Sequence, residues 1–111
     1  MDWINLVSER QLQEIKNKSI HKPQVIFKHS FRCSLSGMAK NRLDKASTPD
    51  GMDFYFLDLI KYRDISNKIS QEFKVYHESP QVLIIKNGES VYDESHTAIN
   101  IQEIAAHAFA A

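Results

Sequence analysis

The chain has 111 residues, of which 42% are hydrophobic, and its 14 acidic residues balance its 14 basic ones. This length and composition predict a single domain, residues 1–111, with a hydrophobic core of its own. The balanced charge argues against a polyanionic partner, so we expect the protein to bind neither nucleic acid nor a membrane surface.

The N-terminus has no basic segment followed by a long apolar run. No stretch of the chain approaches the roughly 20 apolar residues that are needed to span a bilayer. We therefore expect a cytoplasmic protein. Cys33 is the only cysteine, so an intrachain disulfide is excluded and the fold does not depend on an oxidising compartment.

Helices and strands are predicted to alternate in the first half of the chain. Ser8 and Gln11 have the spacing of a capping box, which predicts a first helix of about ten residues. Residues 24–28 form a short, β-branched apolar run that is typical of a strand buried on both faces. Apolar residues then recur at helical spacing from Cys33 onward, so a second helix is expected to begin at or just after the cysteine.

The next elements are predicted as two more buried strands with a helix between them. Residues 54–57 form a continuous aromatic run, which favours a second buried, parallel strand. Asp64 is placed to cap a helix with apolar residues on one face. A third apolar run at residues 82–85 follows Pro80 and predicts another strand.

A hairpin and a final helix complete the predicted fold. Asn87 and Gly88 both tolerate the positive φ of a type I′ turn, so residues 90–93 are expected to return antiparallel to the preceding strand. Asn100 and Glu103 repeat the capping-box spacing, and Ala-rich sequence should carry a last helix to the C-terminus.

This order of elements is that of a thioredoxin-like α/β fold. It comprises a four-stranded mixed sheet flanked by helices, with an extra N-terminal helix. Other α/β arrangements share the periodicity, but two local signals favour this one. A cysteine lies at the end of the first predicted strand and a proline at the start of the third.

Cys33 is the candidate nucleophile. The free N–H groups and the dipole of a helix N-terminus favour a thiolate there, and Arg32 adds a fixed positive charge and His29 a titratable one. We therefore expect the Cys33 pKa to fall below the reference of about 8.5. The alternative is a buried, inert cysteine, but the flanking Ser30 and Ser34 make a poor apolar pocket.

Two further residues are predicted to act with the thiol. Ser36 stands where a Cys-x-x-Cys protein has its resolving cysteine. Its hydroxyl can donate a hydrogen bond to a thiolate but cannot form a disulfide, so an external thiol must release any adduct; an ordinary first-turn residue is the alternative. Pro80, by itself, is a proline that separates a helix from the strand after it. In a thioredoxin-like fold it occupies the cis-proline position opposite Cys33, where it turns the Ser79 backbone toward an extended substrate.

Together these features resemble the monothiol bacilliredoxin family, the redox proteins of the bacillithiol system. The resemblance covers nearly the whole chain and is most specific at residues 28–39, 77–83 and 95–96. One departure is Ser34, because family members often have proline directly after the cysteine. Unlike proline, Ser34 retains an N–H that can point at the sulfur.

The resemblance implies removal of bacillithiol, or a similar low-molecular-weight thiol, from mixed disulfides on oxidised client proteins. The small thiol is then a co-substrate, no cofactor is needed, and a monomer is expected. Because bacillithiol is acidic, Arg32 and His29 are candidates to bind its carboxylates. The full predicted substrate-binding set is His29, Ser30, Arg32, Ser34, Ser79 and Pro80.

Other functions remain as alternatives. An iron–sulfur carrier similar to monothiol glutaredoxins would also use a Cys-x-x-Ser thiolate. A thioredoxin-like adaptor would bind partners near Pro80 without redox chemistry. The five histidines show no metal-ligand spacing, so no metal site is predicted. No Gly-x-Ser-x-Gly motif is present, which argues against a hydrolase of that class.

Overall fold

A computed structural model describes residues 1–110, in which five strands form one mixed sheet with helices on both faces. The strands are β1 (Trp3–Asn5), β2 (Gln24–His29), β3 (Asp53–Asp58), β4 (Gln81–Lys86) and β5 (Glu89–Ser95). The helices are α1 (Arg10–Lys18), α2 (Ser34–Lys45), α3 (Arg63–Phe73) and α4 (Ile101–Ala108), with a short 3₁₀ helix at His96–Ala98.

The order of strands across the sheet is β1-β3-β2-β4-β5. Strands β1 and β2 both run parallel to β3, whereas β4 is antiparallel to β2 and β5 is antiparallel to β4. Because β4 runs opposite to β2, Gln81 at its start pairs with Lys28 near the end of β2. The loop that follows β2 and the loop that precedes β4 therefore lie next to each other, at the same end of these two strands.

Two hydrophobic clusters hold the helices on the sheet, one on each face. Alternate residues of β2 point to opposite faces, as in any strand, so Ile26 belongs to the cluster with α1 and α3, and Phe27 belongs to the cluster with α2 and α4. All six residues of β2 are buried. The prediction of a strand covered on both faces is therefore confirmed.

The sequence analysis predicted four strands, and the structure corrects this number to five. Strand β1 has only three residues, which is too short to show a periodic pattern. It forms because Trp3 pairs with Phe54 of β3 and its indole stacks on Phe27 at 5.6 Å between ring centroids. The predicted N-terminal helix α1 is present, but it connects β1 to β2 instead of preceding the sheet.

Two predicted helix caps are wrong in detail. Gln11 Oε1 accepts hydrogen bonds from the backbone N–H groups of Val7 and Ser8, at 2.7 and 3.0 Å, but α1 has Glu9 as its N-cap and no side-chain cap. Helix α3 has Tyr62 as its N-cap, and Asp64 lies inside its first turn. At both N-termini the N-cap carbonyl accepts a backbone hydrogen bond, from Leu12 N to Glu9 and from Ser66 N to Tyr62, without a capping side chain from the N-cap residue.

The hairpin and the last cap agree with the sequence. Asn87 and Gly88 have φ values of 53° and 78°, as the predicted turn between β4 and β5 requires. Asn100 Oδ1 accepts a hydrogen bond from Glu103 N at 2.9 Å. Helix α4 ends at Ala108, short of the predicted C-terminal extension, and Ala111 lies outside the described residues. Within residues 1–110, no helix has the length and apolar content to cross a membrane.

Candidate functional site

Cys33 lies between β2 and α2 and is the N-cap residue of α2. Its backbone is extended, with φ −110° and ψ 120°, and its carbonyl accepts a hydrogen bond from Gly37 N at 3.1 Å. No side chain caps the first turn of this helix. The half-buried thiol therefore adjoins free backbone N–H groups, which favour negative charge.

The Ser79–Pro80 segment lies directly beside the thiol. The peptide bond between these residues is cis, and Cys33 Sγ lies 4.0 Å from the Ser79 carbonyl oxygen. The Ser79 hydroxyl oxygen is buried, and no hydrogen-bond partner for it is found in residues 1–110. The sheet thus brings together two residues that are 46 positions apart in the chain.

Ser36 is buried and tied to the loop that precedes it. Its Oγ accepts a hydrogen bond from Ser30 N at 3.0 Å and lies 2.7 Å from His29 Nδ1. Its expected hydrogen bond to the thiolate is not found among the contacts of residues 1–110. The hydroxyl at the resolving-cysteine position instead connects the first turn of α2 to the end of β2.

The structure places His29 in the interior, whereas the sequence analysis took it as a titratable charge beside Cys33 that could bind a carboxylate. The imidazole is 2% exposed, and Phe31 contacts it edge-on at 4.3 Å between ring centroids. Burial, reinforced by the positive charge of Lys40, lowers the pKa of His29 below its usual 6.5. The side chain is therefore neutral at pH 7, and a charged contact from it to a carboxylate is not supported.

Arg32 and Ser34 flank the cysteine and are exposed. Within the described chain, Arg32 makes no ion pair, so its guanidinium is available next to the thiol. Apolar side chains extend the surface around these residues: Phe31 is 65% exposed, Leu35 39% and Met38 56%. The accessible face of the site thus combines one cation with apolar area.

Sequence reasoning missed the role of Lys28. This lysine is fully buried in β2, and its Nζ donates a hydrogen bond to Gln81 Oε1 at 3.1 Å. Burial lowers its pKa from 10.5 to about 8, against the opposing effect of the Glu78 carboxylate. A lysine directly after the three apolar residues 25–27 of a buried strand was the available signal. Elsewhere, no group of potential metal ligands was found in residues 1–110.

We predict that Ser36→Ala destabilises the protein by about 1–3 kcal/mol. The substitution leaves the buried Ser30 N–H without an acceptor and removes the partner of His29 Nδ1. Urea unfolding measures the change. Ser34→Ala, in the same turn but exposed, should change stability by less than about 0.5 kcal/mol. Equal losses of stability in the two variants would contradict a stabilising role for the buried hydrogen bonds of Ser36.

Solved structures with this architecture are thioredoxins and related redox proteins. A candidate oxidoreductase with a thioredoxin fold is 32% identical, with a TM-score of 0.82, and the match covers 95% of this chain and 92% of that one. Thioredoxin from Malassezia sympodialis shares the fold at 23% identity and a TM-score of 0.72, over 96% and 88% of the two chains. Thioredoxin from Fasciola hepatica also shares the fold, at 17% identity and a TM-score of 0.71, and the match covers 91% of each chain.

The predicted thioredoxin-like fold is therefore confirmed, apart from the additional strand. The family model described as monothiol bacilliredoxin BrxC matches residues 4–104. This match runs from within β1 to the middle of α4 and includes both the cysteine and the cis-proline segment. The chain belongs to the monothiol bacilliredoxin family and has a thiol redox function.

Proposed function

We propose that the protein removes bacillithiol, or a similar acidic low-molecular-weight thiol, from mixed disulfides on oxidised client proteins. The observation that carries this proposal is a single, half-buried thiol at a helix N-terminus, next to the Ser79 carbonyl. A lone thiol in such a position can accept an adduct but cannot resolve it within the chain. The second thiol must then come from solution.

The chemistry has two exchange steps. The Cys33 thiolate attacks the small-thiol sulfur of the mixed disulfide, the client sulfur leaves as a thiolate and takes up a proton, and Cys33 carries the small thiol as a new disulfide. A second small thiolate then attacks the adduct. It forms the small-thiol disulfide and restores the Cys33 thiolate. The net two-electron reductant is therefore the small thiol, and no bound cofactor enters either step.

Three groups around the thiol support binding of such a substrate. The Ser79 backbone, which lies beside the thiol, pairs in this proposal with an extended client segment, and the Ser79 hydroxyl, which has no partner within residues 1–110, is free to bond to a bound group. The free guanidinium of Arg32 suits a carboxylate of the small thiol. The exposed Phe31 and Met38 suit apolar side chains of a client. In this proposal the protein acts as a monomer, in the reducing cytoplasm.

Intact-mass spectrometry tests this function and identifies the small thiol. The reduced protein is incubated with the disulfides of bacillithiol, glutathione and coenzyme A, and each adduct is then treated with each free thiol. One adduct on Cys33, formed and released fastest with bacillithiol, is the expected result. A protein that acquires no adduct from any of them would overturn the proposal.

We predict that Arg32→Gln slows adduct formation with an acidic small-thiol disulfide by about tenfold, because one charge-assisted hydrogen bond is lost. The rate with an uncharged disulfide, such as hydroxyethyl disulfide, should change much less. Arg42→Gln, near the far end of the same helix, is the matched control for loss of one positive charge. A uniform decrease for charged and uncharged disulfides would contradict carboxylate binding by Arg32.

A further inference from the structure

A buried lysine lies under the segment that faces Cys33. Lys28 is fully buried, and in residues 1–110 no carboxylate lies within ion-pair distance of its Nζ. Its hydrogen-bond partner is the neutral amide of Gln81, itself 1% exposed. Burying an ammonium group with no carboxylate in contact is costly, and an apolar side chain would fill the same space without that cost. Packing alone therefore does not account for a lysine here.

The Gln81 amide joins Lys28 to the loop before β4. Gln81 Oε1 accepts from Lys28 Nζ at 3.1 Å and from Glu78 N at 3.4 Å, while Gln81 Nε2 donates to the Tyr76 carbonyl at 2.9 Å. One amide thus holds two points of the segment 76–80, which contains the cis Ser79–Pro80 bond. The lysine favours the same orientation of the amide as the other two bonds do, and it does so as a charged donor, because an ammonium group bonds only to an acceptor.

The same segment is held on its other side by His96. The His96 backbone N–H donates to the Pro80 carbonyl at 3.0 Å, and His96 Nε2 lies 3.4 Å from Glu78 Oε2. Both side chains of this contact are about half exposed, so it contributes little on its own. The buried contacts of Lys28 and Gln81 are therefore the stronger restraint.

We propose that Lys28 is a positioning residue: by fixing the orientation of the Gln81 amide, it holds segment 76–80 so that the Ser79 backbone faces Cys33. The effect on catalysis rests on the proposed function, whereas the effect on the segment does not. Lys28 contacts neither the reacting sulfur nor the Ser79 carbonyl in this arrangement, so it acts through Gln81.

Hydrogen exchange tests the positioning without any activity. In Lys28→Met the Gln81 amide loses the charged donor among the three groups that orient it, and the Glu78 N–H should exchange about five- to tenfold faster than in the wild-type protein. Strands β2 and β4 should retain their protection. Lys86→Met, at the other end of β4, is the control for replacing a lysine in this part of the sheet. Unchanged exchange in segment 76–79 would overturn the proposal whether or not the protein turns over disulfides.

Kinetics separate the effect on the segment from an effect on the thiol. Exchange of Cys33 with a peptide mixed disulfide uses the Ser79 backbone, whereas alkylation by iodoacetamide does not. Lys28→Met should therefore slow the first reaction about tenfold and leave the second within about twofold. Equal slowing of both reactions would overturn the positioning role. Lack of exchange in the wild-type protein would reject the proposed function and would leave the hydrogen-exchange result to decide the role of Lys28.

A double substitution shows whether both residues act through one network. Gln81→Met should slow peptide exchange to the same extent as Lys28→Met. The double variant should be no slower than Gln81→Met alone, because residues that act through a shared contact are not additive. Independent, multiplying effects would contradict transmission through the amide. Thermal unfolding of all three variants verifies that each is folded, and replacing a buried ammonium by methionine is not expected to reduce stability.

Discussion

Cys33→Ser is expected to lower the rate of disulfide exchange by at least about 1,000-fold, because a neutral hydroxyl does not replace a thiolate as the attacking group. The exposed part of the site and the fold should be unaffected, since serine has nearly the same shape. The measurement is release of the small thiol from a client mixed disulfide, followed by intact mass. Circular dichroism provides the control for folding.

The same variant distinguishes the alternatives to disulfide exchange. An adaptor that binds partners near Pro80 would keep its function without the thiol. If the protein is an iron–sulfur carrier, the wild-type protein purified anaerobically will be a coloured dimer. The Cys33→Ser variant, purified in the same way, will be colourless. Residual turnover close to that of the wild-type protein would mean that Cys33 is not the nucleophile.

Ser36→Cys is expected to convert the protein to a dithiol oxidoreductase. Positions 33 and 36 are three residues apart across the start of α2, a spacing that places side chains on one helix face. The new thiol should therefore displace the small thiol from Cys33 by an intramolecular attack, at least about 100-fold faster than millimolar free thiol does. The product is an internal disulfide, and its mass is lower than that of the reduced variant by two hydrogen atoms.

Ser47→Cys is the matched control for this variant. Ser47 is exposed and follows the far end of α2, about 18 Å along the helix from Cys33, so its thiol cannot reach the adduct. This second thiol should leave the adduct stable until free thiol is added. Persistence of the adduct in Ser36→Cys would show that the buried position, tied to Ser30 and His29, does not reach Cys33.

Local signals were sufficient to predict most of the fold. Strand β2 and helix α2 follow from apolar periodicity, and together they place Cys33 at a strand-to-helix junction. The turn at Asn87 and Gly88 depends on residues that tolerate positive φ, and the side chain of Asn100 caps helix α4. Such features are encoded within a few residues, which is why a single sequence reveals them.

By itself, therefore, the sequence determined the order of elements after the first strand, the position of the only thiol and the resemblance to a family. Only the tertiary structure decided that Trp3 begins a fifth strand, that Ser36 and His29 are buried together, and that Lys28 bonds to Gln81 beneath the Ser79 segment. Each of these depends on contacts between strands or across a loop. Burial, which lowers the pKa of both His29 and Lys28, is a property of the packed chain and not of the residues on either side.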